Sequence, residues 1–129
     1  MSMPFTMQAT LNAPPLPGQP SSVPLLASLS ATYGSRVDYR LELTGSGNKT
    51  LNLGTIGPTG TKCLFITVDA DPTPGVTPVL ISLNSATPGI EISQGGFLVL
   101  GSPSPTSSGV LSVALSYSSN VAVNVWAFG

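Results

Sequence analysis

Any acid–base, nucleophilic or metal chemistry in this sequence would have to come from very few side chains. Asp38, Glu42, Asp69, Asp71 and Glu91 are its only carboxylates, Cys63 is its only thiol, and it has no histidine. Asp69-Ala70-Asp71 has a spacing that lets two carboxylates share a calcium ion while loop carbonyls complete the shell. Calcium loops normally bring three or more carboxylate or amide side chains and a tight glycine turn, whereas Pro72 and Pro74 follow here, so no metal site is assigned. A glycosidase needs two carboxyl groups facing each other across a cleft, one with a raised pKa. Asp38 and Glu42 instead alternate with Arg36 and Arg40 along one segment. That is the pattern of cross-strand or intersubunit ion pairing, which also discourages uncontrolled edge pairing. Cys63 has no second cysteine to pair with and lies in the run Lys62-Cys63-Leu64-Phe65-Ile66, the setting of a small, buried, inert thiol. The sequence therefore reads as non-enzymatic, with no catalytic residue, cofactor, metal or small-molecule substrate.

Charge narrows the partners further. Arg36, Arg40, Lys49 and Lys62 are the only basic side chains and the net charge is -1, too little to neutralise a phosphate backbone, so nucleic acid is not expected as a partner. No apolar run approaches the ~18 residues of a membrane span, and the start lacks a basic region followed by a continuous apolar one. Synthesis in the cytoplasm without a membrane partner is the expectation. Positive mean hydropathy together with almost no net charge protects a free monomer poorly against association, which points to an oligomer or larger assembly. Asn48-Lys49-Thr50 matches a glycosylation acceptor but reads as a hairpin turn. Tyr33, Tyr39, Tyr117 and Trp126 are the only Tyr or Trp residues, a thin supply of platforms for carbohydrate.

The elements that would position these residues are strands. From residue 25 onward the hydrophobic period is two, most clearly in Arg36-Val37-Asp38-Tyr39-Arg40-Leu41-Glu42-Leu43, where odd positions are apolar and even ones charged. Runs of the same kind are expected at 49–54, 62–69, 78–84, 89–93, 97–101, 109–117 and 121–128, with a less regular one at 25–33. Gly, Pro, Asn and Ser clusters separate them. About nine short strands and no helix, each burying one face, must pack as two sheets. The expected fold is an all-β, two-sheet antiparallel β-sandwich over residues 25–129, with an eight-stranded jelly roll preferred to an immunoglobulin-like fold, whose Cys…Trp…Cys signature is missing.

Residues 1–24 stand apart. They hold six of the thirteen prolines and no charged side chain, and are expected to form an extended Pro-rich N-terminal arm with polyproline-like segments rather than a regular part of a sheet. In Val123-Asn124-Val125-Trp126-Ala127-Phe128-Gly129, Trp126 and Phe128 fall on one side and Val123 and Val125 on the other, so the strand should be covered on both faces.

The stretches Leu53 to Gly57, Lys62 to Asp69, Pro78 to Asn84, Ile90 to Leu100 and Val125 to Gly129 resemble small virion proteins of tailed bacteriophages, a likeness covering residues 51–129. The resemblance implies a jelly-roll or related β-sandwich that decorates and cements a capsid, or that serves as a tail- or head-fibre module binding a host receptor. It further implies a place on the outer surface of the virion, with the major capsid protein and further copies of the chain, as dimer or trimer, for partners. Partner contacts are expected from Phe5, Leu11, Pro14, Pro15, Leu16 and Pro17 of the arm, from Arg36, Asp38, Arg40 and Glu42, and from Trp126 and Phe128.

Overall fold

The computed structural model describes residues 2–18, 25–56, 60–69, 78–106 and 108–129. Strands occupy β1 (Met3–Leu11), β2 (Leu25–Tyr33), β3 (Arg36–Leu43), β4 (Gly47–Thr50) and β5 (Cys63–Val68). They continue as β6 (Val79–Leu83), β7 (Ile90–Ile92), β8 (Phe97–Gly101), β9 (Val113–Tyr117) and β10 (Val121–Phe128). Among the described residues there is no helix. The expected all-β, antiparallel sandwich is what the chain forms: β3-β10-β5-β8 make one four-stranded sheet and β4-β9-β6-β7 another, with β1 and β2 forming a separate two-stranded ribbon.

The pairings are nested. β3 pairs with β10, β4 with β9, β5 with β8, and β6 with β7, all antiparallel. The segment from β3 to β10 is thus one long hairpin folded back at β6 and β7 and rolled so that its limbs fall in two sheets. Alternation fixes which side of each strand faces inward. Leu64, Ile66 and Val68 of β5, Val123, Val125 and Ala127 of β10, Val79 and Ile81 of β6, and Val113 and Leu115 of β9 are fully or almost fully buried between the sheets. Val37, Tyr39 and Leu41 close the core from β3.

Three expectations need correction. Asn48-Lys49-Thr50 is not a hairpin turn: it lies in β4, paired with β9 from Gly47↔Tyr117 to Thr50↔Ala114. The start of the chain is extended, yet residues 3–11 are a regular strand, in register with β2 from Met3↔Tyr33 to Leu11↔Leu25. Its prolines permit this because only Pro4 lies inside the strand, and a two-stranded ribbon leaves each strand one unbonded edge. Finally, among the described residues β2 pairs with β1 alone rather than joining the sandwich.

Candidate functional site

The outer face of the β3-β10-β5-β8 sheet carries the residues that the core does not use. Odd positions of β3 and β10 point inward, so Arg36, Asp38, Arg40 and Glu42 of β3 and Ala122, Asn124, Trp126 and Phe128 of β10 line this outer face. Cys63, Phe65 and Thr67 of β5 and Phe97, Val99 and Gly101 of β8 complete it. Register stacks them in rows across the sheet: Arg36, Phe128, Cys63, Gly101; then Asp38, Trp126, Phe65, Val99; then Arg40, Asn124, Thr67, Phe97.

The ribbon crosses the first of these rows. Its apolar face pairs Met3 with Tyr33, Phe5 with Ala31, Met7 with Leu29, Ala9 with Ala27 and Leu11 with Leu25. Phe5 stacks on Phe128 with centroids 5.0 Å apart, and Tyr33 meets the same ring edge-on at 5.1 Å. Met7 covers Cys63, whose Sγ donates to Met7 Sδ at 3.1 Å, and burial pushes the Cys63 thiol up. Beyond Cys63 the ribbon needs Gly101, where an added Cβ would come within 2.9 Å of both Leu29 Cδ1 and Met7 Cε. Lys62 Nζ donates to Thr32 O at 2.6 Å, and Gly34 and Ser35 N–H both donate to Gly129 O, pinning the ribbon's base.

Past this crossing Ala9 and Ala27 still share a cavity with Val99, Gly101 and Pro103, and the leucines beyond them are uncovered. Leu11 and Leu25 are 64% and 68% exposed, and Pro14, Pro15, Leu16 and Pro17 continue the exposed path beyond them. An aromatic row running diagonally from Phe97 in the third of the sheet's rows to Phe65 and Trp126 in the second is also uncovered. Phe65 stacks parallel to Phe97 at 6.1 Å and meets Trp126 edge-on at 5.6 Å, leaving Phe97 63% and Trp126 38% exposed. Between this aromatic row and the ribbon's base lies an apolar groove of about 320 Å³, bordered by Phe5, Met7, Cys63, Phe65, Trp126 and Phe128.

The charged strand flanks the patch. Arg36 pairs with Asp38 two residues along the same strand rather than across strands, and its guanidinium sits 5.8 Å from the centre of the Phe128 ring. Arg40 reaches Asp69 at 2.5 Å and Glu42 at 3.8 Å, while Asn124 Nδ2 donates to Thr67 Oγ1 and Asp69 Oδ1. Asp69 is thus held by an arginine and an amide. Asp71, the other half of the calcium reading, lies outside the described residues.

Of the residues expected to touch a partner, Phe5 and Phe128 touch each other, Trp126 stands on the open aromatic row, and Leu11 marks the start of the overhang. Sequence reasoning passed over Met7, Leu25, Leu29, Phe65 and Phe97. The signal was present in the period-two series Met3, Phe5, Met7, Ala9, Leu11, masked by the proline density around it. Comparisons with protein-family models, curated proteins and solved structures give no match.

Proposed function

We propose that this chain is a bacteriophage virion structural protein: a homo-oligomeric capsid decoration, or cement, protein that stabilises the head by binding across capsid subunits. The observation that carries the reading is the overhanging ribbon. A hairpin free of charged side chains among its described residues projects past its own sheet with leucines exposed on it, a surface that suits contact with another protein better than contact with water. A cement adds buried area across subunit boundaries with extended arms and apolar patches, not with chemistry, and a stiff Pro-rich tip loses less conformational entropy on docking than a flexible one. The fold we assign is an eight-stranded jelly roll. Its support is the nested order, β3-β10-β5-β8 facing β4-β9-β6-β7, which is the winding of a single hairpin into two sheets.

The test adds purified protein to particles that lack it and counts the copies bound. Saturation at hundreds of copies, with greater resistance of the shell to heat, is the expected result; a few to tens of copies would reassign the chain to a tail or head fibre, and no binding would end the virion reading. A variant in which Asn-Gly replaces residues 12–24, joining the paired Leu11 and Leu25 by a two-residue turn, should lose binding while melting like the parent.

A further inference from the structure

We infer that two copies of this chain associate through β8, edge to edge, and that each ribbon then lies across the aromatic row of the other copy. The inference deepens the assembly reading above by naming one partner and its register, but it does not depend on a capsid.

Among the described residues β8 is a sheet edge, paired only with β5. Ser102 N–H donates to Lys62 O at 2.8 Å and Val68 N–H to Gly96 O at 3.0 Å. The even-numbered residues of β8 therefore turn their backbone groups toward β5, and Phe97, Val99 and Gly101 turn theirs outward. Exposed edges are normally blunted by charge. β3, the opposite edge of this sheet, has Arg36, Asp38, Arg40 and Glu42, whereas 92–106 contains no charged residue at all. The only prolines there, Pro103 and Pro105, lie beyond the strand.

An antiparallel β8 pair centred on Val99 places Val99 opposite Val99 and Gly101 opposite Phe97 of the second copy. All six outward-facing residues then find backbone partners, and both outer faces fall on the same side of the joined sheet. The ribbon's direction makes this register selective. It passes over Phe128 of β10, Cys63 of β5 and Gly101 of β8 before leaving the sheet. Leaving at Gly101, it meets the second copy at Phe97, its most exposed aromatic residue. From Met7, which still lies over Cys63 and Gly101, the ribbon runs about 14 Å further to Leu11, and strands of the second copy would lie about 5 and 10 Å beyond β8. Leu11 and Leu25 thus arrive over Phe97 and its row neighbour Thr67 of the second copy, at the edge of the aromatic row, and by the twofold axis the same contact forms twice. The apolar face that docks on its own sheet at Phe5 and Met7 is continued, without interruption, onto its neighbour's.

Light scattering on the full chain should give twice its 13.1 kDa mass. Phe97→Lys, and separately Leu11→Asp with Leu25→Asp, should weaken the dimer at least about 100-fold by placing unpaired charge in the contact, while Gln8→Lys on the ribbon's polar face should leave it intact. In a Cys63→Ala background, Val99→Cys should give a covalent dimer on mild oxidation, because hydrogen-bonded antiparallel partners have Cα atoms about 5.5 Å apart. Leu80→Cys, on the other sheet, should not. A monomer at the highest soluble concentration, or an oligomer indifferent to these substitutions that forms no Val99→Cys cross-link, would overturn the inference. A monomer that still saturates phage particles would overturn this dimer alone; a β8-paired dimer that binds no particle would overturn the decoration reading alone.

Discussion

Phe5 and Phe128 lie face to face, their planes 13° apart: a residue near the start of the chain covers one at the end of the last strand. This pair anchors the ribbon to the sandwich, with Tyr33 closing the third side of the cluster at 5.9 Å from Phe5. It also shields Cys63, one strand away in the same row.

Releasing the ribbon should therefore expose a thiol. Aromatic pairs contribute roughly 0.5–1.5 kcal/mol beyond the area they bury, so Phe5→Ala should raise the rate of Cys63 labelling by a disulfide reagent about tenfold or more. Gly101→Val should do the same by a different route, since its side chain would collide with Leu29 and Met7. Labelling rates equal to those of the parent chain would show that the ribbon does not guard Cys63.

Truncating the core should have larger effects. Ile66 and Ile81 face each other's sheets and are fully buried. Either one replaced by alanine should lower stability by about 2–5 kcal/mol, a large part of the ~5–15 kcal/mol available to a domain. Urea unfolding followed through Trp126 fluorescence measures this directly.

Alkaline pH should destabilise the fold. Burial pushes both the Cys63 thiol and the Tyr39 phenol up, so the unfolded chain loses these protons at lower pH than the folded one. Stability is then complete below the ordinary thiol range, about 8.5, and declines as pH rises from there through the ordinary phenol range near 10 toward the raised folded values. The midpoint of urea unfolding should fall across that window, and Cys63→Ala should remove its lower-pH part.

The ion pairs of β3 should matter little to stability. Arg40 and Asp69 are both substantially exposed, and pairs of that kind contribute about 0–1 kcal/mol. Arg40→Ala should leave the urea midpoint nearly unchanged.

Much of the sandwich was legible in the residues. Arg36 to Leu43 alternates so regularly that strand, inward face and outward face all follow from it, and the expected runs at 97–101 and 121–128 coincide with β8 and β10. The ribbon was hidden because proline density is a local signal, whereas the pairing of Phe5 with Ala31 is set by a partner 26 residues away. The open aromatic row was hidden for a related reason: Phe65, Phe97 and Trp126 come from three distant segments, and only strand order makes them neighbours. Asn48-Lys49-Thr50 reads as a turn because it follows a Gly- and Ser-rich stretch, but pairing with Ser116, Leu115 and Ala114 prevails over local preference.

The nested pairing has a consequence for how the chain is made. β10 is an inner strand of its sheet, between β3 and β5, and its Phe128 pairs with Arg36 about 90 residues earlier. Translation must deliver residues 121–128 before that sheet can close, so β3 and β5 leave the ribosome with facing edges unoccupied. Closure over so long a loop places folding in the millisecond-to-second range. During that interval the charges on β3 become useful in another way, keeping nascent chains from pairing with one another while each waits for its own last strand.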